Sequence, residues 1–220
     1  MKPRGLSLVE LLVGLAVGMI VVAAAITLFA AQMSEQRSSA IELRLVQELR
    51  ATTDLVTRDL RRAGHWGDAS IALWALSASA PAANPYAAFA PLAASASTAG
   101  YAYSRDSVEN QLLDANEQFG LRLRNGVVEL QLGAGNWQAL SDAGSMQVTE
   151  FEIRPLLQEL PLLAHCPHPC PPGASCNPRL QWRSLVIRIA ARASADPAVQ
   201  RRLQSELRVR NAAVLGACPA

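Results

Sequence analysis

Residues 6–33 read LSLVELLVGLAVGMIVVAAAITLFAAQM, a run whose one charged side chain is Glu10 and whose polar interruptions are Ser7, Thr27 and Gln32. A helix of roughly 20 apolar residues crosses the hydrocarbon core of a bilayer, so this run is long enough to span one. Lys2 and Arg4 precede it, and no Lys or Arg follows until Arg37. By the positive-inside rule the N-terminus stays cytoplasmic and the rest of the chain is sent across. A carboxylate in such a span costs about 2.5 to 3.5 kcal/mol at its centre and less near an interface. Glu10 therefore calls for a compensating partner.

Beyond Met33 the pattern becomes one-sided. Ile41, Leu45, Leu49, Val56 and Leu60 recur at helical spacing, with Arg37, Glu42, Arg44, Glu48, Arg50 and Arg58 between them, as an amphipathic helix requires. The helix is predicted to run from Leu6 to Ala63 and to stop at Gly64, a stalk of roughly 87 Å at about 1.5 Å per residue. Two plainer readings compete. One is a secretory signal peptide cut near Ala23-Ala24-Ala25 or Ala30-Ala31, although such a signal has a shorter apolar region. The other is a membrane anchor followed by a coiled coil.

The segment Ser77–Gly100, SASAPAANPYAAFAPLAASASTAG, is an Ala/Ser/Pro stretch that reads as a surface loop; its alternative is a subunit contact made by Tyr86 and Phe89. Two alternating runs, Phe119–Arg124 and Val127–Leu132, flank Asn125-Gly126 and predict a hairpin. Asn136–Leu140, Met146–Ile153, Trp182–Ala190 and Leu203–Asn211 add further strands. The expected fold class is α+β, a long helix packed on an antiparallel sheet with one buried face and a C-terminal region tied by disulfides.

Length and composition narrow the function. A chain of 220 residues holds one main domain. A net charge of +2 supplies no field that would recruit nucleic acid, and Arg58, Arg61 and Arg62 read as the solvated face of a helix. Cys166, Cys170, Cys176 and Cys218 all lie beyond the predicted span, on its exported side, where disulfides are expected and more than one pairing is possible. His165 and His168 beside them raise the option of zinc, but the C-x3-C and C-x5-C spacings are poor for it, so no metal or other cofactor is expected. No nucleophile, acid/base or phosphate-loop motif is found, so an enzyme is not expected.

The arrangement Lys2-Pro3-Arg4-Gly5 followed by Leu6-Ser7-Leu8-Val9-Glu10 resembles the class III signal of type IV pilins and pseudopilins. The resemblance implies a prepilin peptidase cut between Gly5 and Leu6, N-methylation of Leu6, and an assembly and registration role for Glu10 through pairing with the new terminal ammonium. Leu6 stands where phenylalanine is commonest. Arg58-Asp59-Leu60-Arg61-Arg62-Ala63-Gly64-His65-Trp66-Gly67 is similar to the stretch that ends the long helix in PilW-type minor pilins, with Trp66 expected to pack against that helix. Glu206–Asn211 resembles their last strand. The organisation implied is a leader at 1–5, a membrane and filament-core helix at 6–33, its amphipathic continuation at 34–64, a loop region at 65–118 and a sheet domain with the cysteine loop at 119–220. A preferred link from Cys218 to a loop cysteine would tie down the chain end.

As a PilW-type minor pilin the chain would sit in the inner membrane in a single pass with its C-terminal domain periplasmic, then join the pilus at the cell surface. Its role there would be to prime assembly and occupy the tip. Other minor pilins, the major pilin, prepilin peptidase and the assembly platform are the implied partners, with a tip adhesin as a further one. A minor pseudopilin of a type II secretion system is the first alternative. A membrane-anchored DNA- or metal-binding module is the second.

Overall fold

The absence of proline between Pro3 and Pro81 leaves nothing to interrupt a long helix. In the computed structural model, which describes residues 7–72 and 82–219, helix α1 runs unbroken over Leu8–Leu60. Its residues up to Leu43 form one unit of the chain, and those from Arg44 belong to a second. In the second unit one face of α1 is buried through Leu45, Leu49, Thr52, Thr53, Val56, Thr57 and Leu60. Three of these are threonines, which apolar periodicity does not detect. Thr53 and Thr57 satisfy their hydroxyls on the carbonyls of Leu49 and Asp54, at 2.8 and 3.0 Å. The helix ends three residues before the predicted Ala63, because its last bonds tighten: Arg62 and Ala63 donate to the carbonyls of Asp59 and Leu60.

Two antiparallel sheets pack with this half of the helix. The first is ordered β1-β2-β3-β4-β5, with β1 Phe89–Ala90, β2 Thr98–Ala102, β3 Gln118–Arg124, β4 Val127–Leu132 and β5 Trp137–Ala139. The predicted hairpin is β3 and β4, whose turn residues Asn125 and Gly126 have φ of 51° and 76°, the positive values a type I′ turn demands. The second sheet is ordered β6-β7-β8, with β6 Met146–Pro161, β7 Arg179–Ala193 and β8 Gln200–Arg208; β9, Ala213–Leu215, pairs with β7 as well. One bridge, Ala96 to Ile153, joins the two sheets.

Several strand limits differ from expectation, each for a physical reason. In β6 the apolar residues fall at Met146, Val148, Phe151 and Ile153, a pattern that slips phase by one. A bulge between Val148 and Glu150 absorbs the extra residue and returns Phe151 and Ile153 to the buried face. The strand also continues to Pro161 rather than stopping at Ile153. Ile153 exchanges both main-chain bonds with Ala96, away from β7, so by antiparallel alternation the odd-numbered positions that follow point outward. Pro155 and Pro161 occupy such positions and cost the β7 ladder nothing.

The expected single sheet is thus two, and the region 65–118, expected as loop, contains β1 and β2. The described part of the Ala/Ser/Pro stretch is largely exposed, as a surface loop is, but Tyr86 and Phe89 are buried in the domain, so neither is free to be the subunit contact considered for them. Residues 73–81, which include the first five positions of that stretch, 77–81, lie outside the described residues. The last strand is also not Leu203–Asn211. β8 ends at Arg208, Val209 still donates to the Arg183 carbonyl of β7 at 2.9 Å, residues 210–212 bulge away, and β9 resumes along the same edge of β7.

Candidate functional site

The first candidate surface is the N-terminal half of α1. From Leu8 to Phe29 every large apolar side chain is between 55 % and 75 % exposed, and no part of the most apolar window is buried within the chain. A continuous apolar surface of this length is stable only in contact with lipid or with neighbouring helices. Glu10 stands in the first turn of this helix, where the positive end of the helix dipole favours a carboxylate. Gly5 and Leu6, the expected cleavage and methylation positions, lie outside the described residues.

The second candidate surface is the helix exit, Arg58–Gly67. Asp59 faces the first sheet, where Tyr101 donates its hydroxyl to one carboxylate oxygen and Tyr103 donates to the other at 3.2 Å. Arg62 lies 4.1 Å from the centroid of the Tyr103 ring, and that ring stacks on Phe119 at 3.7 Å. Burial first, and then the Asp59 charge, hold the phenols of Tyr101 and Tyr103 well above their ordinary pKa. Gly64 turns the chain out of the helix at φ 72°, a left-handed conformation that suits glycine, and its N–H donates to the Ala102 carbonyl at 2.8 Å.

Beyond the turn, the exit is held by Asn84, Glu109 and Gln111, which the sequence reading did not single out, and by Tyr86 and Asn211, which it named for other roles. Asn84 donates to the Gly64 carbonyl at 2.9 Å, and Asn211 to the Ala63 carbonyl at 3.0 Å. Glu109 accepts from the Gly67 N–H at 3.0 Å and from the Tyr86 hydroxyl at 2.8 Å. Trp66 packs with Tyr86 and Ala102, and its indole N–H donates to Gln111.

Residues 38–209, more than three quarters of the chain, match the family described as prepilin peptidase-dependent protein B. The chain belongs to that family. Residues 1–26 match the prokaryotic N-terminal methylation motif. No curated protein and no solved structure is matched at a significant level.

Membership in the prepilin peptidase-dependent protein B family makes the chain a prepilin-type, pilin-like protein, and fits a membrane-anchored minor pilin or pseudopilin. Families of this kind are structural rather than catalytic, and peptidase dependence implies contact with the peptidase and with pilus-type machinery. The family match begins at residue 38 and ends at residue 209, so it includes the Arg58–Gly67 exit.

The cysteine loop follows β6. Cys166 is joined to Cys218 and Cys170 to Cys176, with Cα–Cα distances of 5.5 and 5.8 Å. The first bond links positions 52 residues apart and holds the chain end, beyond β9, to the loop. Among the described residues no group of three or more His, Cys, Asp or Glu side chains is arranged to hold a metal ion. The partners of the helix exit come from far along the chain: Asn84 and Tyr86 stand as isolated polar and bulky residues in an Ala/Ser/Pro stretch, which is the local signal for them, whereas Glu109 lies among other polar residues and nothing local marks it.

Proposed function

We infer that this chain is a PilW-like minor pilin of a type IV pilus. It is cut between Gly5 and Leu6, methylated at Leu6, held in the inner membrane by residues 6–33 with its C-terminal domain periplasmic, and then extracted to prime pilus assembly at the tip. The observation that carries the reading is Glu10, the one charge in an otherwise apolar and exposed helical run behind a leader that matches the methylation motif. A terminal ammonium created at Leu6 supplies the partner this carboxylate needs, in its own chain or in a neighbour, because paired charges tolerate apolar surroundings far better than single ones.

Under this reading residues 6–33 pack with other pilins in the filament core, Glu10 sets their register, and the two-sheet domain selects the neighbouring minor pilins, with the major pilin and assembly platform as the other partners. The test is expression with and without an active prepilin peptidase, and of the Glu10→Ala variant, followed by analysis of the N-terminus and of sheared filaments. Processing at Gly5 that requires the peptidase, with Glu10→Ala cut normally but poorly recovered in filaments, is expected. An unprocessed N-terminus beside an active peptidase would sink the proposal. Recovery with a secretion apparatus instead of pili would move it to the pseudopilins.

A further inference from the structure

A cavity of about 440 Å³ opens where the helix exit, the Asn84–Phe89 segment and the bulge between β8 and β9 converge. Eight alanines line it, with short side chains that leave the space open, and Trp66, Phe89, Val209, Val214 and Leu215 complete its apolar wall. Arg183 and Arg210 line it, and no Asp or Glu does. Arg183, on β7, is half-buried. Its guanidinium donates to the Ala87 carbonyl at 3.1 Å, reaches Gln181 Oε1 at 3.5 Å and lies over the Phe89 ring. None of its partners among the described residues is a carboxylate, and three of its five N–H groups remain unspent.

A guanidinium drawn partly out of water without an anion is an incomplete arrangement. The carbonyls of the helix exit, which would repel an anion, are already taken: Asn211 caps Ala63 and Asn84 caps Gly64. What remains is a positive, donor-rich centre inside a small apolar recess. We propose that this cavity binds a carboxylate-bearing peptide segment, with Arg183 forking the carboxylate and the alanine walls receiving the attached small apolar residue. The volume is at the low end of ligand pockets, which suits one or two small residues better than a long acyl chain. That the segment comes from another filament subunit rests on the pilin reading; the chemistry of the cavity does not.

The experiment uses the full chain in detergent micelles and the fluorescent probe dansyl-Ala-Ala-Ala with a free C-terminal carboxylate, followed by polarisation. Saturable binding is expected, about tenfold weaker for the C-terminal amide and about tenfold weaker for Arg183→Gln. Ala88→Trp, at an exposed position on the rim, should also weaken it, while Arg188→Gln, on the Glu152 ion pair, should not. Intact Cys166–Cys218 and Cys170–Cys176 pairing certifies each variant's fold; if Arg183→Gln fails that check, the amide and Ala88→Trp arms decide. Equal binding of acid and amide, wild-type affinity in Arg183→Gln, displacement by decanoate in preference to the peptide, or no saturation up to about 1 mM each overturns the proposal. Filament recovery is scored separately, so failure of the probe and failure of the pilin reading are distinguishable.

Discussion

The side-chain amide of Asn211 donates to the main-chain carbonyl of Ala63 at 3.0 Å, across 148 positions of sequence. The bond ties the bulge between β8 and β9 to the end of α1, and the neighbouring Arg210 N–H reaches the Arg61 carbonyl at 3.4 Å. Ala63 is buried, so removing the amide strands a carbonyl that water reaches poorly. Asn211→Ala should destabilise the domain by about 1 to 3 kcal/mol, measured by denaturant unfolding, and leave membrane insertion unchanged. Asn211→Asp should be no better than Ala, since a carboxylate cannot donate.

Asp59 is the acceptor for two tyrosine hydroxyls, those of Tyr101 and Tyr103. Asp59→Ala leaves both without their acceptor and should cost about 2 to 4 kcal/mol, whereas Asp59→Asn keeps an acceptor oxygen and should cost less. Denaturant midpoints of the two variants, compared with wild type, check the order.

Alkaline pH supplies a second measurement of the same region. Tyr86, Tyr101 and Tyr103 all have pKa values raised above the ordinary 10.0, chiefly by burial and then by Glu109 or Asp59. Because the folded values exceed the unfolded ones, the stabilisation is complete below pH 10 and is lost as pH rises beyond it. Each tyrosine contributes a slope of at most about 1.4 kcal/mol per pH unit there. Tyrosinate absorbance should lag the titration of the unfolded chain and then rise together with unfolding. Titration of all three at pH 10 in the native state would contradict this.

The two disulfides should differ in weight. Closing a loop of 52 residues restricts the unfolded chain more than closing one of 6, by the chain-entropy estimate about 4 against about 2 kcal/mol. The Cys166→Ala/Cys218→Ala pair should therefore lower the unfolding midpoint more than Cys170→Ala/Cys176→Ala, with both measured under non-reducing conditions.

The edge of β6 makes a positional prediction. Leu157 has its N–H directed outward by the same alternation that accommodates Pro155, while Leu156 donates into the β7 ladder opposite Ser184. Leu157→Pro should be nearly neutral, and Leu156→Pro should cost about 3 kcal/mol or more. Thermal unfolding of the two variants separates them; equal losses would refute the register.

The residues from Leu8 to Leu60 by themselves determined the helix, because an apolar run, a stripe at helical spacing and the lack of proline are local properties that need no partner. The β3–β4 hairpin was legible for the same reason, since Asn125-Gly126 dictates its own turn. What only the tertiary structure decided is where polar and proline residues are tolerated. Thr52, Thr53 and Thr57 are buried because their faces meet the sheets; Pro155 and Pro161 stay in a strand because their missing N–H groups point away from β7; Tyr86 and Phe89 enter the core from a bland segment. Asn84, Glu109, Asn211 and Arg183 take their roles from contacts between residues 20 to 148 positions apart. Spacing along the chain reports which face a side chain occupies, and only the packed fold determines what stands opposite it.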